Sequence, residues 1–383
     1  MANIEFYRHQ LGDEEFEAVR EVLNSLFLTT GPRTAQFEKE FAEFLNTKHA
    51  LGLMSCTHAL ELAVEGLGIS AGDEVIVPSL TFMATANAVA RLGGTPVFAD
   101  CEADTGLLCA RSVESLITKK TKAIIPVHLY GALVDMHAMR DLADRYTLKL
   151  IEDAAHCIEG ERDGYKPGQL GDAACFSFYA TKNLTCGEGG AISTNHDDLA
   201  AWLRSARIHG MSCDATRRHS GAFKHYDQEF VGTKANMNDL QAALLLPQMK
   251  HIATRRAERE RLAHLYETKL QRIADVDFPK IPTGCISAYH LQTAWVPAQL
   301  RDTVVMDLRN EGIGAAVNYR PVHTLSAWKN RHDCVRIPLP NTERICASTI
   351  TLPLYPGLRD DELNTVVDVF EASLHKAKQQ IAA

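Results

Sequence analysis

Short apolar runs alternate with stretches of helical periodicity from about residue 50 to residue 195. The runs are almost continuously hydrophobic, which is typical of strands buried on both faces of a parallel sheet, and the stretches between them are typical of helices that cover such a sheet. The pattern therefore predicts an α/β fold with a mostly parallel sheet and helices on both faces. The expected strands are 50–54, 74–77, 96–99, 122–127, 148–151 and 173–178, and the expected helices include 57–66, 85–92 and 136–146.

The rest of the chain is predicted to form a second, smaller unit. A chain of 383 residues is longer than one hydrophobic core usually supports. We therefore predict a large domain over residues 1–248 and a smaller α/β domain over residues 249–383, with the boundary inside a long charged helix. The expected later elements are helices at 197–209, 239–270, 303–311 and 360–376 and strands at 289–296 and 314–319.

Charge and cysteine spacing argue against several classes of function. The 40 Lys and Arg against 48 Asp and Glu give a net charge of -8, which does not suit a general nucleic-acid surface. No apolar run approaches the roughly 20 residues that span a bilayer, and the first residues lack the pattern of a secretory signal. The ten cysteines form no CxxC pair, and the histidines at 128, 156 and 323 lack ligand spacing. We expect a cytoplasmic protein without disulfides, a metal site, or a membrane or nucleic-acid partner.

The first candidate site follows the strand expected at 50–54. Ser55, Cys56 and Thr57 lie between that strand and a helix with an apolar inner face. The free N–H groups of such a helix start, together with the Thr57 hydroxyl, are suited to binding a phosphate. An ordinary N-cap is an equally good interpretation of this stretch by itself. The stretch lacks GxxxxGK[ST], and no GxGxxG follows the first strand, so neither a nucleoside-triphosphate nor a dinucleotide site is indicated.

The second candidate site follows the strand expected at 148–151. The sequence IEDAAH places Asp153 at the carboxyl end of a buried strand, with His156 three residues later. A carboxylate at that position can hold a proton on a heterocyclic nitrogen and make the ring an electron sink, and His156 could orient the carboxylate or contact the same ring. Capping of the next helix is the alternative interpretation of Asp153.

The third candidate site contains an amine. Ser177 and Lys182 follow a hydrophobic strand and precede a glycine-rich reversal. This position predicts a partly buried lysine, whose pKa desolvation lowers, and so the free nucleophile that a Schiff base needs. A helix-start phosphate pocket, a strand-end aspartate and this lysine, in that order, outline a pyridoxal-phosphate (PLP) site. Phe82 fits this picture as a ring stacked on the cofactor, although a single phenylalanine at such a position is more often part of a core.

These stretches resemble the DegT/StrS sugar-nucleotide aminotransferases, which are fold-type-I PLP enzymes. The resemblance covers nearly the whole chain and implies a large domain with a mostly parallel seven-stranded sheet flanked by helices, plus a smaller C-terminal α/β domain. KNLTCGEGG, IEDAAH and VNYRPVH look most like members that aminate a 4-keto sugar on a UDP carrier. The matching stretches are TTGPRTAQFEKEF (29–41), GDEVIVPSLTFMATANAV (72–89), GGTPVFAD (93–100), TKAIIPVHLYG (121–131), IEDAAH (151–156), FSFYATKNLTCGEGGAI (176–192), GTKANMNDLQAAL (232–244) and LPLYPGL (352–358).

The resemblance implies a role for each residue around the cofactor ring. Lys182 would form the Schiff base with PLP and afterwards act as the base and acid that moves the proton. Asp153 would pair with the pyridinium nitrogen, Phe82 would stack on the ring, and His156 would lie beside it. Metal ions have no part in this chemistry.

The resemblance also implies how the phosphate is held. Ser177, Thr57 and the amides around Cys56 and Thr57 would bind the phosphate group of PLP. Members of the family are homodimers with the active site at the subunit interface, and Asn236 would reach the phosphate from the partner subunit.

The sugar nucleotide would be contacted by residues further along the chain. Arg320 and His323 lie where relatives approach this substrate, and the alternative is that both are surface residues at a corner between a strand and a turn. The polar segment 211–229 is long for a loop, and its basic cluster of Arg217, Arg218 and Lys224 offers contacts for a diphosphate.

We therefore expect a PLP-dependent aminotransferase that moves an amino group from glutamate to a nucleotide-linked keto-sugar. C4 of a UDP- or dTDP-4-keto sugar is favoured by the resemblance, in the biosynthesis of a cell-surface polysaccharide or a modified sugar. One alternative is a PLP-dependent sugar dehydratase, which Lys182 disfavours because those relatives carry histidine at that position. Another is a non-catalytic regulator that binds PLP with the same fold.

Overall fold

The large sheet and its helices occupy the first half of the chain. The structure, a computed structural model, describes residues 3–212 and 225–382. The elements of this half are α1 (Asp13–Leu23), α2 (Pro32–Leu45), β1 (His49–Leu53), α3 (Cys56–Gly66), β2 (Glu74–Pro78), α4 (Ala84–Arg91), β3 (Thr95–Ala99), α5 (Ala110–Leu116), β4 (Thr121–Ile124), α6 (Met136–Tyr146), β5 (Lys149–Asp153), β6 (Glu161–Arg162), β7 (Ala173–Ser177), β8 (Gly190–Thr194) and α7 (Asp197–Ala206).

Seven of these strands form one sheet in the order β1-β8-β7-β5-β4-β2-β3. The pairs β2–β3, β2–β4, β4–β5 and β5–β7 are parallel, and β8 runs antiparallel to both of its neighbours. The parallel strands are almost entirely buried because helices cover the sheet. The mostly parallel seven-stranded sheet predicted from the sequence is thereby confirmed.

The second half of the chain builds a smaller α/β unit. An antiparallel pair of strands, Gln292–Trp295 and Thr349–Leu352, packs with helices around a separate buried cluster that includes Leu308, Phe370 and Leu374. The elements of this half are α8 (Asp239–Leu270), β9 (Cys285–Ile286), β10 (Gln292–Trp295), α9 (Ala298–Asn310), α10 (Pro340–Ser348), β11 (Thr349–Leu352) and α11 (Asp360–Ala382).

Three of the predicted strands differ from the structure. The strand expected at 122–127 ends at Ile124. The strand expected at 314–319 is wrong, since that stretch has only an isolated bridge between Ala316 and Thr351. The strand expected at 289–296 is shorter at its start, because Tyr289 has φ of 47°, in the left-handed region that a strand residue does not adopt. Among residues 314–319 only Val317 and Tyr319 are β-formers, since Gly, Ala and Asn are depleted in strands, so the strand signal of that stretch is weak.

The predicted division at residues 248 and 249 falls inside α8. This helix contributes residues up to Ile252 to the hydrophobic cluster of the first unit and residues from Leu262 onward to the cluster of the second. The domain limits 1–248 and 249–383 remain a prediction. Within residues 3–212 and 225–382, no helix combines the length and the apolarity that spanning a bilayer requires.

Candidate active site

A large cavity opens at the carboxyl ends of β1, β5 and β7, with a volume of about 560 Å³. Crevices at this edge of an open α/β sheet are the usual place for ligands, because the loops that follow parallel strands meet there. The structure brings together seven of the candidate residues in the wall of this one cavity. They are Cys56, Thr57, Phe82, Asp153, His156, Ser177 and Lys182.

The start of α3 forms one wall of the cavity. Ser55 is the N-cap, and its Oγ accepts a hydrogen bond from the amide of His58 at 3.2 Å. The amides of Cys56 and Thr57 precede the first helical hydrogen bond, so they remain available to an anion. The N-cap and the phosphate pocket, which the sequence left as alternatives, are therefore compatible, because the cap uses a different amide. Ser177, at the end of β7, lines the same cavity and adds its hydroxyl to that of Thr57.

Gly190 allows β8 to lie directly against this helix start. It pairs with Leu53 on one side and with Ser177 on the other. A Cβ atom at position 190 would lie 2.3 Å from the carbonyl carbon of Ser55 and 2.5 Å from the amide nitrogen of Cys56. Both are backbone atoms, so a side chain here would have to displace either the strand or the helix.

Replacing Gly190 by alanine is expected to destabilise the protein by about 1–3 kcal/mol and to weaken about tenfold the binding of PLP, the cofactor expected from the sequence. The added methyl group displaces the first amides of α3, which face the cavity. Denaturant unfolding and a cofactor titration would measure the two effects. Gly12→Ala is the matched control, because a Cβ at position 12 would have no atom within 4 Å. Wild-type cofactor affinity in the Gly190 variant would contradict the role of this contact.

Asp153 is buried at the end of β5 with its carboxylate facing the cavity. Its Oδ2 accepts a hydrogen bond from the Thr85 hydroxyl at 2.8 Å, and its Oδ1 accepts one from the Ala155 amide at 3.2 Å. Burial raises the pKa of this carboxyl, and the two hydrogen bonds oppose that rise. A positively charged group in the cavity would stabilise the ionised carboxylate further.

Lys182 lies in the turn after β7, with its amine partly buried in the cavity wall. Desolvation lowers the pKa of this amine to about 8, against the opposing influence of Cys56 and Asp153. About a tenth of the amine is therefore uncharged at pH 7, far more than for an ordinary lysine, and the sequence predicted a lowered pKa from the position of the residue. An uncharged amine is the form that attacks a carbonyl.

His156 belongs to a short hydrogen-bonded chain at the cavity wall. Its Nδ1 accepts a hydrogen bond from the Tyr130 amide at 3.2 Å, so the neutral ring carries its hydrogen on Nε2. Nε2 lies 2.9 Å from the Tyr319 hydroxyl, which accepts that hydrogen. Burial lowers the pKa of His156 well below its usual range, consistent with the neutral ring. Tyr319 retains its own hydrogen for donation and lines the same cavity.

Phe82 is 52% exposed and lies at the cavity mouth. Its ring centroid is 5.9 Å from that of Tyr319, with the two planes tilted by 52°. An exposed aromatic ring on a cavity wall has a face available for a flat ligand. The interpretation of Phe82 as a core residue is therefore wrong.

The other candidate residues do not line this cavity. Asn236 is buried, and its amide hydrogen-bonds to the Thr30 hydroxyl at 2.5 Å. Arg320 is exposed, whereas His323 is partly buried, with its Nδ1 2.7 Å from the Ser79 hydroxyl. His323 is thus not simply a surface residue. The basic residues Arg217, Arg218 and Lys224 lie outside the described residues.

The chemistry of the cavity fits PLP. The free amides of Cys56 and Thr57 and the hydroxyls of Thr57 and Ser177 line the part of the cavity where a phosphate dianion can be bound. The buried carboxylate of Asp153 faces the interior and can pair with a protonated ring nitrogen. The partly uncharged amine of Lys182 is available to react with an aldehyde. Phe82 supplies a flat apolar surface. Within the described part of the chain, no group of three or more His, Cys, Asp or Glu side chains is arranged to hold a metal ion.

Comparison with known proteins finds relatives that match nearly the whole length of this chain. The sequence profile of the DegT/DnrJ/EryC1/StrS aminotransferase family matches residues 9–371. Spore coat polysaccharide biosynthesis protein SpsC of Bacillus subtilis (strain 168) is 40% identical over 365 residues, 94% of each chain. The structure of S. venezuelae DesV is similar with a TM-score of 0.88 and 34% identity, covering 98% of this chain and 99% of that one. The PLP form of Spr1654 from Streptococcus pneumoniae gives 0.89 and 28%, covering 98% and 100%.

Proposed function

Because the chain belongs to the DegT/DnrJ/EryC1/StrS family of PLP-dependent sugar aminotransferases, we propose that it moves an amino group from glutamate to a nucleotide-linked keto-sugar. The favoured acceptor is C4 of a UDP- or dTDP-4-keto sugar. The product would enter the biosynthesis of a cell-surface polysaccharide or a modified sugar in the cytoplasm. The relative SpsC, a spore coat polysaccharide biosynthesis protein, supports this direction.

The observation that carries the proposal is the convergence of Lys182, Asp153 and the free end of α3 on one cavity. PLP, when bound, supplies a protonated pyridine ring that delocalises the electrons left behind when a carbon loses its proton. Asp153 would hold the proton on the ring nitrogen. Lys182 would bind the cofactor as an amine and then take up and return the proton of the reacting carbon, for which its lowered pKa is suited.

The remaining wall residues would orient the cofactor. Thr57, Ser177 and the amides of Cys56 and Thr57 would bind its phosphate, and Phe82 would cover one face of its ring. His156 would contact the ring at a fixed orientation, because both of its nitrogens already have partners in Tyr130 and Tyr319.

The sugar nucleotide and the partner subunit would complete the site. We propose a homodimer in which Asn236 reaches the phosphate of the partner's cofactor, since Asn236 does not line the cavity of its own chain. Arg320 is exposed and free to meet the nucleotide diphosphate, and His323 would approach the sugar from the partly buried turn beside Ser79.

A panel of keto-sugars tests the substrate class. The purified protein is incubated with glutamate and 3-keto or 4-keto sugars on UDP or dTDP, and the products are identified by mass and NMR. We expect amination of a 4-keto substrate with a kcat/KM at least about tenfold above that of the 3-keto isomer, because a site built around one carbonyl position leaves polar groups unpaired with the other. Omission of glutamate is the control. Amination restricted to 3-keto sugars, or to sugars without a nucleotide, would overturn the assignment.

The same panel separates the two alternatives. A sugar dehydratase would give a product that has lost water and gained no nitrogen. A regulator would bind PLP and the sugar nucleotide but leave both the glutamate and the sugar unchanged. The presence of Lys182 together with Asp153 in one cavity favours the transaminase over both.

A further inference from the structure

Lys182 has a close neighbour that does not line the cofactor cavity. The Nε2 atom of buried His290 lies 3.5 Å from the Lys182 Nζ atom. The two side chains line a second, much smaller cavity of about 30 Å³, whose wall includes the N-terminal segment 7–10. The amine of Lys182 is therefore contacted by His290 on one side and faces the cofactor cavity on the other.

The tautomer of His290 is determined by Asn183. The Asn183 amide nitrogen Nδ2 donates to Glu159 Oε1 at 3.1 Å and to the Ala288 carbonyl at 3.0 Å, and both partners can only accept. The Asn183 Oδ1 atom must then be the one that faces His290 Nδ1, at 3.1 Å. An amide oxygen can only accept, so Nδ1 carries the hydrogen. The Nε2 atom of neutral His290 consequently presents a lone pair to Lys182.

Burial, supported by the surrounding charges, keeps His290 neutral. Burial lowers its pKa well below the usual range, and the positive charges of Lys182 and Arg259 lower it further, as does the nearby His156 ring at 4.5 Å between centroids. Glu159 is the acidic group beside this network, and it is already paired with the Arg259 guanidinium in a buried ion pair. A protonated His290 would place a second positive charge beside Lys182.

We propose that His290 directs the Lys182 amine: its Nε2 accepts one N–H of Lys182, and the lone pair of Nζ is thereby turned toward the cofactor cavity. This inference rests on the proposed function of Lys182 as the reacting amine. A neutral amine has two hydrogens and one lone pair. When one hydrogen is bound by Nε2, the lone pair must occupy one of the two remaining directions.

The opposite tautomer would have the opposite effect. With a hydrogen on Nε2, His290 would donate to the Nζ lone pair and occupy the orbital that attacks a carbonyl or accepts a proton. Asn183 prevents this by accepting the hydrogen of Nδ1. The network from Glu159 through Asn183 to His290 is therefore a positioning device for the nucleophile.

Trace acetylation of the cofactor-free full chain tests the proposal without relying on turnover. Acetic anhydride is applied between about pH 6 and 11, and labelling of the peptide that contains Lys182 is compared with that of exposed Lys39 in the same digest. The pH dependence gives the pKa of Lys182, and the plateau at high pH gives the intrinsic reactivity of the uncharged amine. We expect His290→Phe to lower the plateau about tenfold, since the amine is no longer held in a reactive orientation.

The two measured quantities separate orientation from simple electrostatics. If His290 only stabilises the charged form of Lys182, the His290→Phe variant will show a changed pKa of Lys182 and an unchanged plateau. That result would overturn the proposal. His251→Phe is the matched control, because the side chain of His251 is 45% exposed and pairs with Glu14 on the surface. Its plateau should equal that of the wild-type protein.

A second variant tests the tautomer directly and covers the case in which His290→Phe does not fold. Asn183→Ala keeps His290 but removes the acceptor for Nδ1–H, so both tautomers become accessible. We expect its plateau to fall about threefold, because part of the population then has the hydrogen on Nε2. An unchanged plateau would contradict the proposal. Failure of the proposed function itself has a different signature, the absence of a cofactor adduct on Lys182 after reduction.

Discussion

Replacement of Lys182 by alanine is expected to lower the rate of amino transfer by about four orders of magnitude or more. Under the proposed function, the variant loses both the amine that would bind the cofactor and the group that would move the proton of the reacting carbon. Among the described residues, no other lysine lines the cavity, so the chain has no substitute for this group in its own wall.

The Lys182 variant is expected to fold as well as the wild-type protein. The folded-state pKa of Lys182, about 8, lies below the ordinary value of 10.5, so the protonated form is the one that folding penalises. This penalty is fully present below the folded pKa and is lost as the pH rises through the interval between the two values. At pH 7 the alanine substitution removes this protonation penalty. Because Lys182 lies at the wall of an open cavity, the shorter side chain leaves no closed void.

Borohydride reduction provides the measurement for Lys182. In the wild-type holoenzyme we expect a pyridoxyl adduct on the peptide that contains residue 182, and in the alanine variant we expect neither the adduct nor the visible absorption band. Lys39→Ala is the matched control, because the side chain of Lys39 is 77% exposed on α2 and does not line the cofactor cavity. An adduct on a different lysine, or full turnover in the Lys182 variant, would contradict the assignment of the reacting amine.

The sheet could be predicted well from the sequence because buried parallel strands have an unambiguous signal. Continuous apolar runs such as 74–77 and 173–178 coincide with strands to within one or two residues. The strand β8 has a weaker signal, since Gly190–Thr194 begins with a glycine and contains two hydroxyl residues. Its position between β1 and β7 depends on the absence of a side chain at Gly190, and close backbone approach of this kind is a property of the folded chain.

The candidate site could be predicted where chemistry coincides with a strand end. Asp153 and Lys182 each follow a buried strand and are recognisable by that position. Thr85, Tyr319 and His290 were not predicted as site residues, because their contribution comes from hydrogen bonds across long sequence distances. The Thr85 hydroxyl meets a carboxylate 68 positions away, and the His290 ring meets an amine 108 positions away. The sequence pattern contains no local signal for such pairs.

Substitution of Asp153 by asparagine is expected to lower the rate of amino transfer by about 100- to 1000-fold while the fold and most of the cofactor binding are retained. A neutral amide cannot stabilise a proton on the ring nitrogen as a carboxylate does, so the electron-withdrawing power of the ring is lost. The local hydrogen bonds can adapt. The asparagine oxygen would accept a hydrogen bond from the Ala155 amide, and the asparagine Nδ2 would donate to the Thr85 hydroxyl. The Thr85 hydroxyl would then donate to the Phe82 carbonyl oxygen, which lies 3.3 Å from it in the wild-type structure.

Stability gives an independent check on this variant. Burial raises the pKa of Asp153 in the folded protein, which means that its ionised form is penalised, and this penalty is present above the folded pKa and disappears as the pH falls below the unfolded one. Asparagine removes the penalty, so the cofactor-free variant should melt at the wild-type temperature or above it near pH 7. The exposed Asp302, 85% accessible, provides the matched Asp302→Asn control. Wild-type turnover in the Asp153→Asn variant would show that the carboxylate does not hold the ring proton. A lowered melting temperature of the cofactor-free variant would show that the charge of Asp153 is needed for folding.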